Sequence, residues 1–369
     1  MSEKTTAKPA AKKTAAKKTV AKKTAGQKAV ANKTVAAEET AVAETVAAEA
    51  AATDAVTAQT VVAETAPAQV PAPAEEAAAA APVRLGVRKT YKLYIGGAFP
   101  RSESGRSYQV TSADGAFLAN AALASRKDAR DAVVKARAAF SGWSGATAYL
   151  RGQILYRVAE MLEGRRAQFV AEVRAVQGLT EAAAAAQVDL AIDRWVWYAG
   201  WTDKIGQIRS SANPVSGPFW NVSSAEPTGV VALIAPERPA LLGLVSVLAP
   251  AIAAGNTAVL VAPESAALPA VTLAEVLATS DLPGGVVNIL TGRVAELGKP
   301  LADHLDVDAL DLAGVADAAL ATSLEQAAAE NLKRVLRPAA APADWAAAPG
   351  TARLTAFLET KTVWHPVGA

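Results

Sequence analysis

The chain has 369 residues, enough for about two domains at the usual 100–200 residues each, and half are apolar but only 5% aromatic, so a packed core rests on aliphatic residues. It has no cysteine and only two histidines, His304 and His365, which excludes disulfides, thiolate metal sites and cysteine nucleophiles and offers little for a metal centre or a Ser-His-Asp triad. The net charge of +2 hides a segregation: residues 1–34 carry ten lysines and one acid, and residues 35–82 carry eight acids and no Lys or Arg.

The first segment repeats every five residues, AKKTA AKKTV AKKTA over 11–25. Five residues advance a helix about 140° beyond a full turn, so the lysine pairs share no face. With nothing to bury, 1–34 reads as a disordered tail that resembles the lysine-rich tails of linker histones and bacterial histone-like proteins. Lys12, Lys13, Lys17, Lys18, Lys22 and Lys23 are its candidate phosphate contacts, giving non-specific DNA binding through residues 4–33 by counterion release. The bland alternative is a solubilising tail. Residues 35–82, rich in Ala, Glu, Thr and Val and then spaced by proline, read as an acidic linker, and the ordered part is expected to start near Val83. The N-terminus lacks the apolar core of a signal peptide. The expected location is the cytoplasm, with nucleoid association as the alternative the tail leaves open.

Residues 92–112 read as two strands around the turn SESGR, with Leu93, Ile95 and Phe99 in the first and Tyr108 and Val110 in the second. A helix is expected over 125–143, with Ser125 as its N-cap and Asp128 three residues on. Its Ala129, Ala132, Val133, Ala136 and Phe140 fall at helical spacing. Further helices are expected over 149–178 and 180–205, the latter burying Trp195, Trp197, Tyr198 and Trp201 in packing contacts. Residues 211–237 are an extended stretch that ends in an all-apolar strand. The run 239–255 contains Ser246 and Pro250 and sits between strands, so it reads as a buried helix, not a membrane span. Strands at 258–263, 286–292 and 307–314 alternate with helices at 267–285 and around 295–303. That alternation predicts an α/β fold with a doubly wound parallel sheet, whose ligands bind at the carboxyl ends of the strands.

Several stretches together are specific: YIGGAFPRSESGRSYQV from Tyr94, EPTGVVALIAP from Glu226, LAPAIAAGNTAVLVAPESA from Leu248, DLPGGVVNILTG from Asp281, HLDVDALDLAG from His304 and FLETKTVWHPVG from Phe357. Over about 91–335 and these last residues the chain resembles the NAD-dependent aldehyde dehydrogenase family. The resemblance implies that family's nucleotide-binding domain over 83–335, an extended oligomerisation segment at 211–228, and an oligomerisation tail at 357–369. It implies residual cofactor positions at Pro236, Glu264, Gly292 and Gly314.

The departures from the family pattern are as telling. The turn that reads Pro-Trp-Asn in the family, whose asparagine helps hold the oxyanion, has Glu237 and Arg238 at the last two places. The ribose-binding lysine is replaced by Val261, the serine of the Phe-Thr-Gly-Ser loop by Val315, and the later glycine by Ala319. The Glu-Leu-Gly-Gly-Lys motif and the cysteine nucleophile are missing, and residues 336–356 read as a linker in place of the catalytic domain. NAD binding is therefore expected to be weak or absent, with no catalytic residue and no metal. Three readings remain open: a non-catalytic subunit that assembles with an intact relative or with itself, its tail adding a strand to a neighbour; a nucleic-acid- or polyanion-associated protein working through the lysines; and an active NAD(P)-dependent oxidoreductase of the aldehyde dehydrogenase family, by its own nucleotide-dependent chemistry or by lending residues to a partner's site.

Overall fold

The computed structural model describes residues 89–341 and 343–368. The six lysines of the repeat and the whole 1–34 and 35–82 segments lie outside them.

The centre is a five-stranded parallel sheet built from β6 (Val230–Ile234), β7 (Thr257–Val261), β8 (Val287–Leu290), β9 (Ala309–Asp311) and β10 (Arg334–Leu336), in the order β10-β9-β6-β7-β8. All residues of β6 and β7 are buried, as expected of strands covered on both faces. Alternate residues point to opposite layers. Val231 and Leu233 join the helices α2 (Ala148–Glu163), α4 (Glu181–Ala199), α6 (Ala240–Ala253) and α7 (Ala267–Ala278). Val230, Ala232 and Ile234 join α1 (Arg126–Gly145), α8 (Val294–Asp303) and α9 (Ala318–Ala329). The doubly wound α/β sheet is thus present as read. Helix α6 is buried along its whole length, and among the described residues no helix is long and apolar enough to cross a membrane.

Local signals explain several boundaries. Ser125 accepts hydrogen bonds from the N–H groups of Lys127 and Asp128, while the Asp128 carboxylate accepts from the Ser125 N–H, closing a capping box at α1. The expected helix 149–178 is two helices: α2 ends at Gly164, and α3 (Arg166–Gln177) starts after Arg165. The apolar spacing runs on through this turn, so periodicity alone hides it. The first expected strand of 92–112 is also corrected. Gly96 and Gly97 take φ of +63° and +84°, so Ile95 and Ala98 bond each other across a turn, and Tyr94 alone bridges to Ile289 of β8. The strands of this region are β1 (Thr90–Tyr91), β2 (Ser107–Thr111) and β3 (Phe117–Ala122), in the order β1-β3-β2. The sequence of β3, FLANAA, is too alanine-rich to announce itself as a strand.

A second, antiparallel sheet is formed by β4 (Ser211–Asn213), β5 (Phe219–Pro227) and β11 (Leu358–Pro366), in the order β11-β5-β4. The C-terminal tail pairs with its own chain, nine residues in register from Leu358 opposite Pro227 to Pro366 opposite Phe219, and forms the outer strand of this sheet. Trp195 and Tyr198 of α4 are buried in the core, with Trp197 and Trp201 partly buried against it.

Candidate active-site crevice

The chain builds β6, β7 and β8 outward in one direction, then returns to place β9 and β10 on the other side of β6. The crevice outside the carboxyl ends of β6 and β9 is therefore the switch point where doubly wound sheets hold ligands.

Two of the residues read from sequence meet there. Pro236 follows β6 and packs so closely on α6 that a Cβ at Gly243 would lie 2.5 Å from its Cγ. Gly314 follows β9, donates its N–H to the Ile234 carbonyl at 2.9 Å, and a Cβ there would lie 2.1 Å from the Ala235 carbonyl oxygen. The loops after β6 and β9 thus touch through backbone. The other two residues lie elsewhere. The Glu264 carboxylate, past β7, pairs with Arg293 at 3.3 Å, and its carbonyl accepts the Tyr108 hydroxyl. Gly292, at φ +142°, packs against Leu123 and Ala124 beside β3.

The turn itself is closed by Glu237. Its carboxylate accepts the Glu264 N–H at 2.7 Å, the Ser265 N–H at 3.2 Å and the Ser265 hydroxyl at 2.6 Å. The backbone donors of this turn past β7 are thus satisfied by a side chain of the neighbouring turn. At the start of α9 the Asp317 carboxylate accepts the N–H groups of Ala319 and Leu320. The start of α6 is served by Gln187, whose side-chain oxygen accepts the Leu241 N–H at 3.4 Å. Burial, together with the Glu264 and Glu237 charges, holds the Tyr108 phenol above its ordinary value. Val261 and Val315 are both buried and present no donor.

The residues 336–356 read as a linker contribute a wall to this crevice, and no sequence pattern pointed to it. Arg194 of α4 is buried and donates to the Ser246 hydroxyl at 3.0 Å and to the carbonyls of Trp345 and Ala347 at 2.8 and 3.0 Å. Burial lowers its affinity for the proton. Arg353, in the short helix α10 (Thr351–Ala356), stacks on the Trp345 indole at 4.9 Å and pairs with Asp311, the last residue of β9. Asn256 donates to the Phe357 carbonyl at 3.0 Å. Leu354, Phe357 and Leu358 enter the main core, with Trp345 against it. The chain itself thus covers apolar surface here.

His304 accepts the Asp306 N–H through Nδ1, and burial lowers its proton affinity. His365 lies exposed on β11 beside Trp220. Among the described residues no cluster of metal-ligating side chains occurs.

The sequence model of the aldehyde dehydrogenase family matches residues 99–337. A mitochondrial aldehyde dehydrogenase of Leishmania tarentolae is 35% identical over 247 residues, 66% of this chain and 49% of its own. Human retinal dehydrogenase 2 is 33% identical over 253 residues, 67% of this chain and 48% of its own. The crystal structure of PnpE from Pseudomonas sp. WBC-3 superposes with a TM-score of 0.63 at 29% identity, covering 67% of this chain and 50% of that one. The chain thus spans about half the length of these relatives. With the parallel sheet and its switch point in place, it belongs to the aldehyde dehydrogenase family.

Proposed function

We propose that the chain is a non-catalytic aldehyde dehydrogenase-like subunit that assembles with an intact relative or with a second copy. The observation that carries the first half is the crevice's chemistry. The chain has no thiol anywhere, so a covalent thiohemiacetal has no nucleophile to form on. The residues present do not fit a dinucleotide: Glu237 holds the Glu264 and Ser265 donors, and Val261 and Val315 offer none. The second half is supported by the β4-β5-β11 sheet. Trp220 is 59% exposed and Trp364 55% exposed, with Phe219 stacked edge-on to Trp364 at 5.7 Å. Exposed aromatics on a small sheet whose outer strand β11 has one side unpaired among the described residues are a liability for a lone chain and an anchor for a partner.

The test has two arms. Purified protein is assayed for aldehyde oxidation with NAD and NADP, with turnover expected at background; turnover above background in a pure sample overturns the reading. Light scattering is then run alone and after adding an intact relative from the same cell. A stable oligomer that Trp220→Ser with Trp364→Ser dissociates is the expected result, and an unchanging monomer defeats the assembly claim.

A second reading rests on the lysine repeat of 11–25. It expects sequence-independent DNA binding at low salt that falls steeply toward physiological salt. If a chain lacking residues 1–34 binds as well as the full one, that reading fails.

A further inference from the structure

We propose that the cavity over the switch point binds a small monocarboxylate with an apolar body, with Arg238 as its counter-charge. The cavity has a volume of about 660 Å³, within the range of small-molecule sites. One wall comes from the loops after β6 and β9, including Pro236, Val315 and Ala316; the other comes from residues 337–341 with Ala343 and Trp345. Apart from Arg337, that second wall lies beyond the family match, which ends at residue 337. Arg353 stacked on Trp345 holds the indole in place.

Three guanidinium groups line this largely alanine and proline surface. Arg337 pairs with Glu325 at 2.9 Å and Arg353 with Asp311 at 2.5 Å. Arg238 makes no ion pair among the described residues; Nη1 donates to the Gln177 carbonyl at 3.3 Å. A guanidinium has five N–H donors arranged in a fork that matches a carboxylate. One unmatched positive charge beside an apolar, aromatic-walled space is the complement of a singly charged amphipathic anion. A dinucleotide or phosphate is the wrong match. It would bring two negative charges near Glu237 and Asp317, and the backbone donors beside it are already bound to those two carboxylates.

The experiment is calorimetry on the full chain with phenylacetate and hexanoate as probes, beside phenylacetamide and NAD. Both carboxylates are expected to bind one per chain, with phenylacetamide and NAD at least about tenfold weaker, the scale of one charge-assisted hydrogen bond. Arg238→Gln, at an exposed position, is expected to lower carboxylate affinity about tenfold while leaving the melting curve unchanged. Ala316→Phe, also exposed, is expected to fill the space and abolish binding with Arg238 intact. Absence of carboxylate binding, equal binding by Arg238→Gln or by Ala316→Phe, equal binding of phenylacetamide, or tighter binding of NAD would each overturn the proposal.

Discussion

Arg353 and Asp311, 42 positions apart, join at 2.5 Å, and the aspartate is fully buried while the arginine is about a quarter exposed. Burial raises the Asp311 proton affinity, with Arg353 and the Ala313 N–H opposing it. Arg353→Met leaves a buried carboxylate without its cation. The expected cost is toward the low end of about 3–5 kcal/mol, because the arginine is partly solvated. Urea unfolding measures it. The deficit is expected to shrink as pH falls and Asp311 takes up a proton, and Arg353→Met with Asp311→Asn is expected to regain part of the loss. An equal deficit at every pH would show that the carboxylate charge is not its source.

Gly314 sits where the loops after β6 and β9 share space. Gly314→Ala puts a methyl group 2.1 Å from the Ala235 carbonyl oxygen, and no flexible side chain is there to yield. A loss of about 1–3 kcal/mol is expected from such overpacking, read as a lower melting temperature. An unchanged melting temperature would mean that the loops separate freely.

Glu237 holds the turn after β6 to the turn after β7 through three hydrogen bonds. It is exposed, so Glu237→Ala is expected to cost roughly 1–2 kcal/mol and not the sum of three charged bonds. The sharper readout is amide hydrogen exchange, where Glu264 and Ser265 are expected to lose protection while β7 keeps its own. Uniform loss across the sheet would show a role beyond this clasp.

Glu172 supplies the pH dependence. Burial raises its affinity for the proton against the opposing bonds from Gln168 and Thr272, and its second carboxylate oxygen is buried with no partner. The folded state holds this proton more tightly than the unfolded state. The stability it contributes is complete below the ordinary carboxylate value and is lost as pH rises through the raised one. Melting temperatures across acid to neutral pH are expected to fall less steeply for Glu172→Gln than for the wild type. Parallel curves would assign the pH dependence elsewhere.

What the sequence announces and what it hides divide along the range of the interactions. The Ser125–Asp128 cap and the apolar runs of β6 and β7 are written within a few neighbouring residues, so they were legible. Pro236 and Gly314 were legible through the family resemblance, and the contact of Gly314 with the Ala235 carbonyl was not. The wall formed by Trp345 was not, because Arg194 reaches its carbonyl across 151 positions and nothing in the spacing records that meeting. β3 escaped because alanine carries almost no strand signal. Glu237 was seen as an odd substitution, and only three-dimensional proximity to Ser265 gives it a partner.

The register of β11 on β5 sets an order of events during synthesis. Ser223 waits for Thr362, its hydrogen-bonded neighbour 139 positions downstream. At roughly 5–20 residues per second, that interval is about 7–28 s on the ribosome. Through it, β5 has only the three residues of β4 beside it, and Phe219 and Trp220 have no strand across from them. Over that interval the second sheet is only the β4-β5 pair, and it is completed when β11 emerges to cover β5.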